Sequence, residues 1–177
     1  MRERRGSASL STSGMGEHRF TFTRRVEFAD TDVAGIMHFS NFFRFMEVTE
    51  HAFYRSLGFS VHPFKGREIP GAVGNGEARV GWPRVQASCD FRLPLEFEEE
   101  VEIELLVEEI RRRTVRYCFR FYKMESEKVV AAIGRFTVVC VSFDERTKKM
   151  AAVEIPPTLR NRIEAAPAAL LEEADAN

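Results

Sequence analysis

The sequence predicts an α+β domain of two layers, one long amphipathic helix laid on a mostly antiparallel sheet. Three observations carry this. From about Ser40 to Leu57, apolar residues recur at three- and four-residue steps (Phe42, Phe45, Met46, Thr49, Phe53, Leu57), while Arg44, Glu47, His51 and Arg55 fall on the opposite side. From residue 84 onward, segment after segment alternates polar and apolar residues with the two-residue period of strands. A chain of 177 residues, 44% hydrophobic, also has the size and apolar content of one domain with its own core.

Taken in order, residues 1–18 are rich in Ser, Gly and Arg. They bury too little surface to offset the entropy of ordering, so a disordered tail is expected. Residues 19–28 alternate around Phe20, Phe22, Val26 and Phe28 as a strand, and ADTDVAG follows as a turn. Ser40 or Asn41 is placed to cap the helix. Gly58 ends it, because glycine takes a left-handed conformation without a Cβ clash. Residues 59–83 are rich in glycine and proline and read as a loop suited to a flap over a site. Strands follow at 84–92, 99–112 and 114–123, the second with an acidic outer row of Glu100, Glu102, Glu104 and Glu108. ESEK (125–128) reads as a hairpin turn. The longest strand, 129–143, is apolar on both faces around Val138, Val139, Cys140 and Val141. DERTKK (144–149) is a turn. A short strand near 151–155 and a brief helix opened by Pro156 and Pro157 complete a domain spanning 19–163. Residues 164–177 are expected to fray. One helix covers only one face of a sheet, so the apolar second face predicts an oligomer.

Several function classes are disfavoured. A net charge of −1 gives no general attraction to nucleic acid or anionic membranes, and no apolar run approaches a membrane span. Cys89, Cys118 and Cys140 sit singly in apolar runs, which reads as buried thiols in a reducing, cytoplasmic setting. No metal set is spaced among the histidines, and no metal or separate cofactor is expected. GAVGNGEAR lacks the GK[ST] ending of a phosphate loop, and there is no GxSxG elbow.

Chemistry concentrates between Phe28 and Gly58. Asp30 and Asp32 read either as turn residues whose charge suits a helix N-terminus, or as a base or nucleophile beside it. Backbone N–H groups at Met37 to Phe39, free at the helix start, would stabilise a carbonyl oxygen that becomes negative. Gly35 is a turn glycine or a point of close backbone approach to a ligand. His38 is a surface residue or positions water or substrate. Glu47 and Glu50 form solvated or cross-subunit ion pairs, or one is a second acid–base group. Arg111, Arg112 and Arg113 form a basic run suited to a hairpin tip or to phosphate oxygens.

FADTDVAGIMHFSNFFRFMEVTE resembles the signature of the 4-hydroxybenzoyl-CoA thioesterase-like family of hotdog-fold acyl-CoA thioesterases. The shared pattern is aromatic-x-D-x-D-x-x-G, a short apolar step, an aromatic or His, and Asn-aromatic opening the long helix. The segment FRLPLEFEEEVEIELLVEEIRRRTVRYCFRFYK is similar to the family's Pro-containing turn and paired strands, so the likeness spans residues 19–163. The resemblance implies a hotdog fold, a curled antiparallel sheet of five or six strands wrapped around one central helix. It implies acyl-CoA hydrolysis, with CoA as part of the substrate. Asp32 would be catalytic, Asp30 structural, and the Phe39 N–H would polarise the thioester. Gly35, His38, Phe42, Glu47 and Arg111–Arg113 would lie against the substrate. A dimer or tetramer with sites at subunit interfaces is also implied. His38 and Phe39 depart from the family's commoner residues, which bears on substrate preference. A non-catalytic acyl-CoA-binding module is the alternative, and an intact D-x-D-x-x-G argues against it. A dehydratase would want a His–Glu pair, for which only His38 is a candidate.

Overall fold

The computed structural model describes residues 16–59, 80–124, 127–144, 146–147 and 149–175. Residues 1–15 of the disordered tail expected over 1–18, most of the expected flap (60–79) and parts of two expected turns (125–126, 145 and 148) lie outside the described residues, whereas Glu17 and His18 are held by backbone bonds to Arg162 and Val107.

The elements run β1 (Arg19–Arg25), α1 (Phe39–Ser56), β2 (Val80–Gly81), β3 (Arg84–Phe91), β4 (Glu100–Ile110), β5 (Thr114–Met124), β6 (Lys128–Val139), β7 (Val141–Asp144), β8 (Lys149–Ala152), α2 (Pro157–Arg160) and α3 (Ala168–Asp175). Five strands form an antiparallel sheet in the order β1-β4-β5-β6-β3, and β2-β7-β8 form a smaller one. The helix α1 lies on the inner face of the large sheet. Its stripe of Phe42, Phe45, Met46 and Phe53 packs against Ile103, Leu105, Tyr117, Phe119, Phe121 and Phe136. Burying such side chains is the main favourable term in folding, so the helix period and the strand period select one another. Gly134 lies directly under Met46, where a Cβ would stand 2.5 Å from Sδ. At the far end Gly58 takes φ +82°. Its N–H donates to the Arg55 carbonyl and the Phe59 N–H to the Tyr54 carbonyl, a Schellman closure.

The structure departs from the sequence reading in several places. The first strand stops at Arg25, and Phe28–Asp30 form a 3-10 turn. The helix cap is His38, not Ser40 or Asn41; its Nδ1 accepts from the Ser40 N–H at 3.4 Å. The long strand expected over 129–143 breaks at Cys140. There the Cys140 N–H donates to the Arg113 carbonyl, and the chain passes from the large sheet to the small one. Glu104, placed in the acidic outer row, is buried, because Arg19, Arg120 and the Tyr122 hydroxyl converge on it at 2.6, 3.2 and 3.1 Å. Nor does the C-terminal segment simply fray. Glu17 pairs with Ile163, and α3 follows, with Leu170 and Leu171 set against Leu106, Cys118 and Ile133 on the outer face. That outer face is mostly ion pairs with a small apolar island, so its hydrophobicity alone does not call for a second subunit.

Gly134→Ala should destabilise the fold by roughly 1–3 kcal/mol through overpacking against Met46. Combined with Met46→Ala, the two losses should fall short of additivity, since the cavity receives the added methyl. Urea melts of the four proteins test this; strictly additive losses would refute the contact.

Candidate active site

The chain from Phe28 to Phe39 folds back on itself through a ladder of short bonds. The Asp32 N–H donates to the Ile36 carbonyl at 2.9 Å, Thr31 bridges to Met37, and the His38 N–H donates to the Asp30 carbonyl at 2.9 Å. Gly35 closes the turn at φ +77°, with its N–H on the Asp32 carbonyl at 3.0 Å. A Cβ there would meet nothing within 4 Å, so within this chain it is conformation, not crowding, that asks for glycine. The loop is fixed to the sheet side by the Met37 N–H on the Leu95 carbonyl at 2.7 Å and the Phe97 N–H on the Gly35 carbonyl at 3.3 Å.

The two aspartates are distinct. Asp30 is buried; its Oδ2 accepts from the Glu27 N–H at 3.0 Å, and Arg24 stands 3.8 Å away. The Asp30 carbonyl also accepts from the Asn41 side chain at 2.8 Å, which ties the turn to the first helical turn. Asp32 is exposed, and its Oδ1 accepts from the Ala34 N–H at 2.8 Å. Of the three N–H groups expected free at the helix start, those of Met37 and His38 are taken. That of Phe39 has no hydrogen-bond partner among the described residues. Phe28, Val33, Phe39 and Phe97 are exposed around this turn, an apolar rim beside a carboxylate and an unpaired donor.

His38 spends Nδ1 on Ser40, 2.8 Å from its hydroxyl, and its ring packs on Phe39 at 4.4 Å. Phe42 is core, wedged between Phe91 and Phe121 at 5.0 and 5.2 Å, and offers no open face. Arg111, Arg112 and Arg113 lie apart from the turn. Asp32 follows the end of β1 that pairs with Glu100, whereas the arginines follow Ile110 at the other end of β4. Eleven residues of strand separate them, roughly 35 Å. Arg111 and Arg112 pair with Glu109 and Glu154 at 3.0 and 3.3 Å. Together with Arg160 they line a depression of about 300 Å³ that Arg113 does not line.

Sequence reasoning singled out Glu47 and Glu50 but missed their partner and the burial of Glu50. Arg84, on β3, bridges Glu47 at 3.1 Å and Glu50 at 2.5 Å. Glu50 is buried, and its Oε1 has no hydrogen-bond partner among the described residues. Burial pushes the Glu50 carboxyl up to about 8, against the pull of Arg84 and with the repulsion of Glu47. Burial also lowers His51, whose Nε2 is 4.0 Å from Glu47, and raises Tyr54 and Tyr117, whose hydroxyls meet at 2.8 Å. The signal was legible: Glu50 falls four residues after Met46 and three before Phe53, on the apolar stripe.

Fold and turn together define a hotdog-type domain with a carboxylate-bearing loop at the start of its long helix. A model of the Thioesterase-like superfamily matches residues 26–163, and the chain belongs to that superfamily. It is 29% identical over 136 residues to a 1,4-dihydroxy-2-naphthoyl-CoA hydrolase of Nostoc punctiforme, covering 77% of this chain and 83% of the relative. It is 26% identical over 136 residues to the 4-hydroxybenzoyl-CoA thioesterase of Pseudomonas sp. strain CBS-3, covering 77% and 91%. The solved structure of a gentisyl-coenzyme A thioesterase superposes with a TM-score of 0.63 at 28% identity, over 79% of this chain and 98% of that one. Among the described residues no helix is long and apolar enough to cross a membrane.

Because folding raises the Glu50 pKa from 4.5 to about 8, its stabilising contribution is complete below the lower value and lost as pH rises through the upper one. Wild type should therefore lose stability relative to Glu50→Gln across that window, by at most about 1.4 kcal/mol per pH unit. Thermal melts of both proteins over the window test this, and parallel profiles would refute it.

Proposed function

We propose that the protein hydrolyses an acyl-CoA thioester to the free acid and CoA at the Phe28–Phe39 turn. The observation that carries this is the Phe39 N–H at the start of α1, unpaired among the described residues, at the end of the turn that exposes Asp32. An ester-type carbonyl seated there gains negative charge as a nucleophile adds. A helix N-terminal donor aimed at that oxygen can be worth ~3 kcal/mol.

Two routes fit the residues. In one, the Asp32 carboxylate takes a proton from water as the water oxygen bonds to the carbonyl carbon. The C–S bond then breaks, and the CoA thiolate leaves and is protonated. In the other, Asp32 itself adds to the carbonyl and expels the thiolate, and water hydrolyses the resulting mixed anhydride. In both, Asp30 and Asn41 act only by holding the turn. The relatives named above act on aromatic acyl-CoA esters by their names. That supports the CoA thioester reading, and the exposed rim of Phe28, Phe39 and Phe97 offers an apolar surface to an acyl group.

The CoA end is best served by a second copy of the chain. Arg111, Arg112 and Arg160 are a strand's length from Asp32 of their own subunit. β3 is an edge strand of the large sheet, with Val85 and Phe91 exposed. Antiparallel pairing of β3 with its copy would set the Arg84 end of one sheet beside the Phe91 end of the other. That brings the arginine end of each subunit towards the Asp32 end of its partner.

Asp32→Asn should fold normally and lose about 10²–10⁴-fold in kcat for thiol release, with KM little changed. Retained turnover would remove Asp32 from the mechanism. Mixing Asp32→Asn with a chain carrying Arg111→Glu, Arg112→Glu and Arg160→Glu should restore activity above either parent, since one mixed site then holds both parts. Activity equal to the parents' average would place the phosphate grip within one subunit, or elsewhere.

A further inference from the structure

The outer face of the large sheet carries an organised pattern that the proposed chemistry does not use. On β4 it presents Glu102, Glu104 and Glu108; on β5, Arg116 and Arg120; on β6, Arg135. These already interlock: Arg116 meets Glu108 at 2.9 Å, Arg135 meets Glu108 at 3.4 Å, and Arg120 meets Glu104 at 3.2 Å. Set within the charges is an apolar island of Leu106, Cys118 and Ile133, one residue from each strand, all buried.

What buries the island is the C-terminal segment. The Glu164 N–H donates to the Glu17 carbonyl at 3.1 Å, and the Ala166 N–H donates to the Val107 carbonyl at 2.8 Å. Ala166, Leu170 and Leu171 then cover the island. Arg120 donates to the Leu170 carbonyl, while its Nε has no hydrogen-bond partner among the described residues. The helix α3 is only eight residues long, and so short a helix owes its order to packing, which places it with segments that open locally at modest cost.

An acidic row lying beside a basic row is self-complementary. A two-fold axis parallel to the strands, between β4 and β5, would set the Glu row of one copy over the Arg row of the other and the two apolar islands face to face. We propose that α3 is an intramolecular cover for this face, and that α3 and a second copy of the chain compete for it. Release of α3 then adds a sheet-to-sheet contact to whatever assembly the full chain already forms.

Cys118, buried under the cover, reports on it directly. In the full chain, Leu170→Asp with Leu171→Asp should speed thiol alkylation at Cys118 at least about tenfold at low micromolar protein, read by peptide mass. As concentration rises, the alkylation should slow again, and the particle mass by light scattering should double relative to wild type. Adding Arg116→Glu and Arg135→Glu should abolish the doubling while alkylation stays fast. Leu171→Ser alone serves if the double variant fails to fold. Alkylation at the wild-type rate, fast alkylation with no change in mass, or a doubling that survives the charge reversal would each overturn the proposal.

Discussion

The carbonyl oxygen of Asp30 is the point on which the candidate site depends. It accepts two hydrogen bonds, from the His38 N–H and the Asn41 side chain, both within 2.9 Å. The same residue's carboxylate takes the Glu27 N–H. One buried aspartate thus clamps the end of the first strand's extension, the return of the turn and the first helical turn. A buried polar group left unpaired would cost about 1–3 kcal/mol, so each bond both satisfies a group and fixes its position. The consequence is electrostatic. With the Met37 and His38 N–H groups used structurally and His38 capping Ser40, Phe39 carries a donor unpaired among the described residues at the positive end of an 18-residue helix.

The other end of the core follows a different rule. Glu50, Arg84, Tyr54 and Tyr117 place polar atoms among aromatic rings, with the Arg84 guanidinium 4.9 Å over the Phe136 ring. Burying an ion pair is seldom a net gain in stability over apolar packing. Its effect here is geometric, since Arg84 joins two successive turns of α1 to the first residue of the edge strand β3. Helix position and edge position are therefore coupled.

The sequence carried most of the fold in its periods. The Phe42–Phe53 stripe gave α1, and alternation gave β3 to β6. Local chemistry was less legible where a long-range partner decides the outcome. Glu104 sits in an alternating acidic row and looks solvated, but Arg19 and Arg120 draw it inward. Cys140 lies within an unbroken apolar run, and only the Arg113 carbonyl reveals where the strand changes sheet. The tail after Glu164 has weak amphipathicity and looks frayed in isolation, but an apolar island on the sheet receives it. At the site, the motif drew attention to the turn that carries Asp32 and leads into the Phe39 start of the helix. The arginine run could not be placed from sequence, because its distance from Asp32 is set by the length of β4.

The central claim is that a thioester carbonyl sits between Asp32 and the Phe39 N–H. A crystal structure with a CoA analogue in which a methylene replaces the reacting thioester sulfur, leaving an unhydrolysable ketone, tests it most directly. The account predicts the ketone oxygen within about 2.7–3.1 Å of the Phe39 nitrogen, with the Asp32 carboxylate facing the carbonyl carbon directly or through one water. A carbonyl bound away from the helix start, or a Phe39 N–H closed by another protein group, would contradict it.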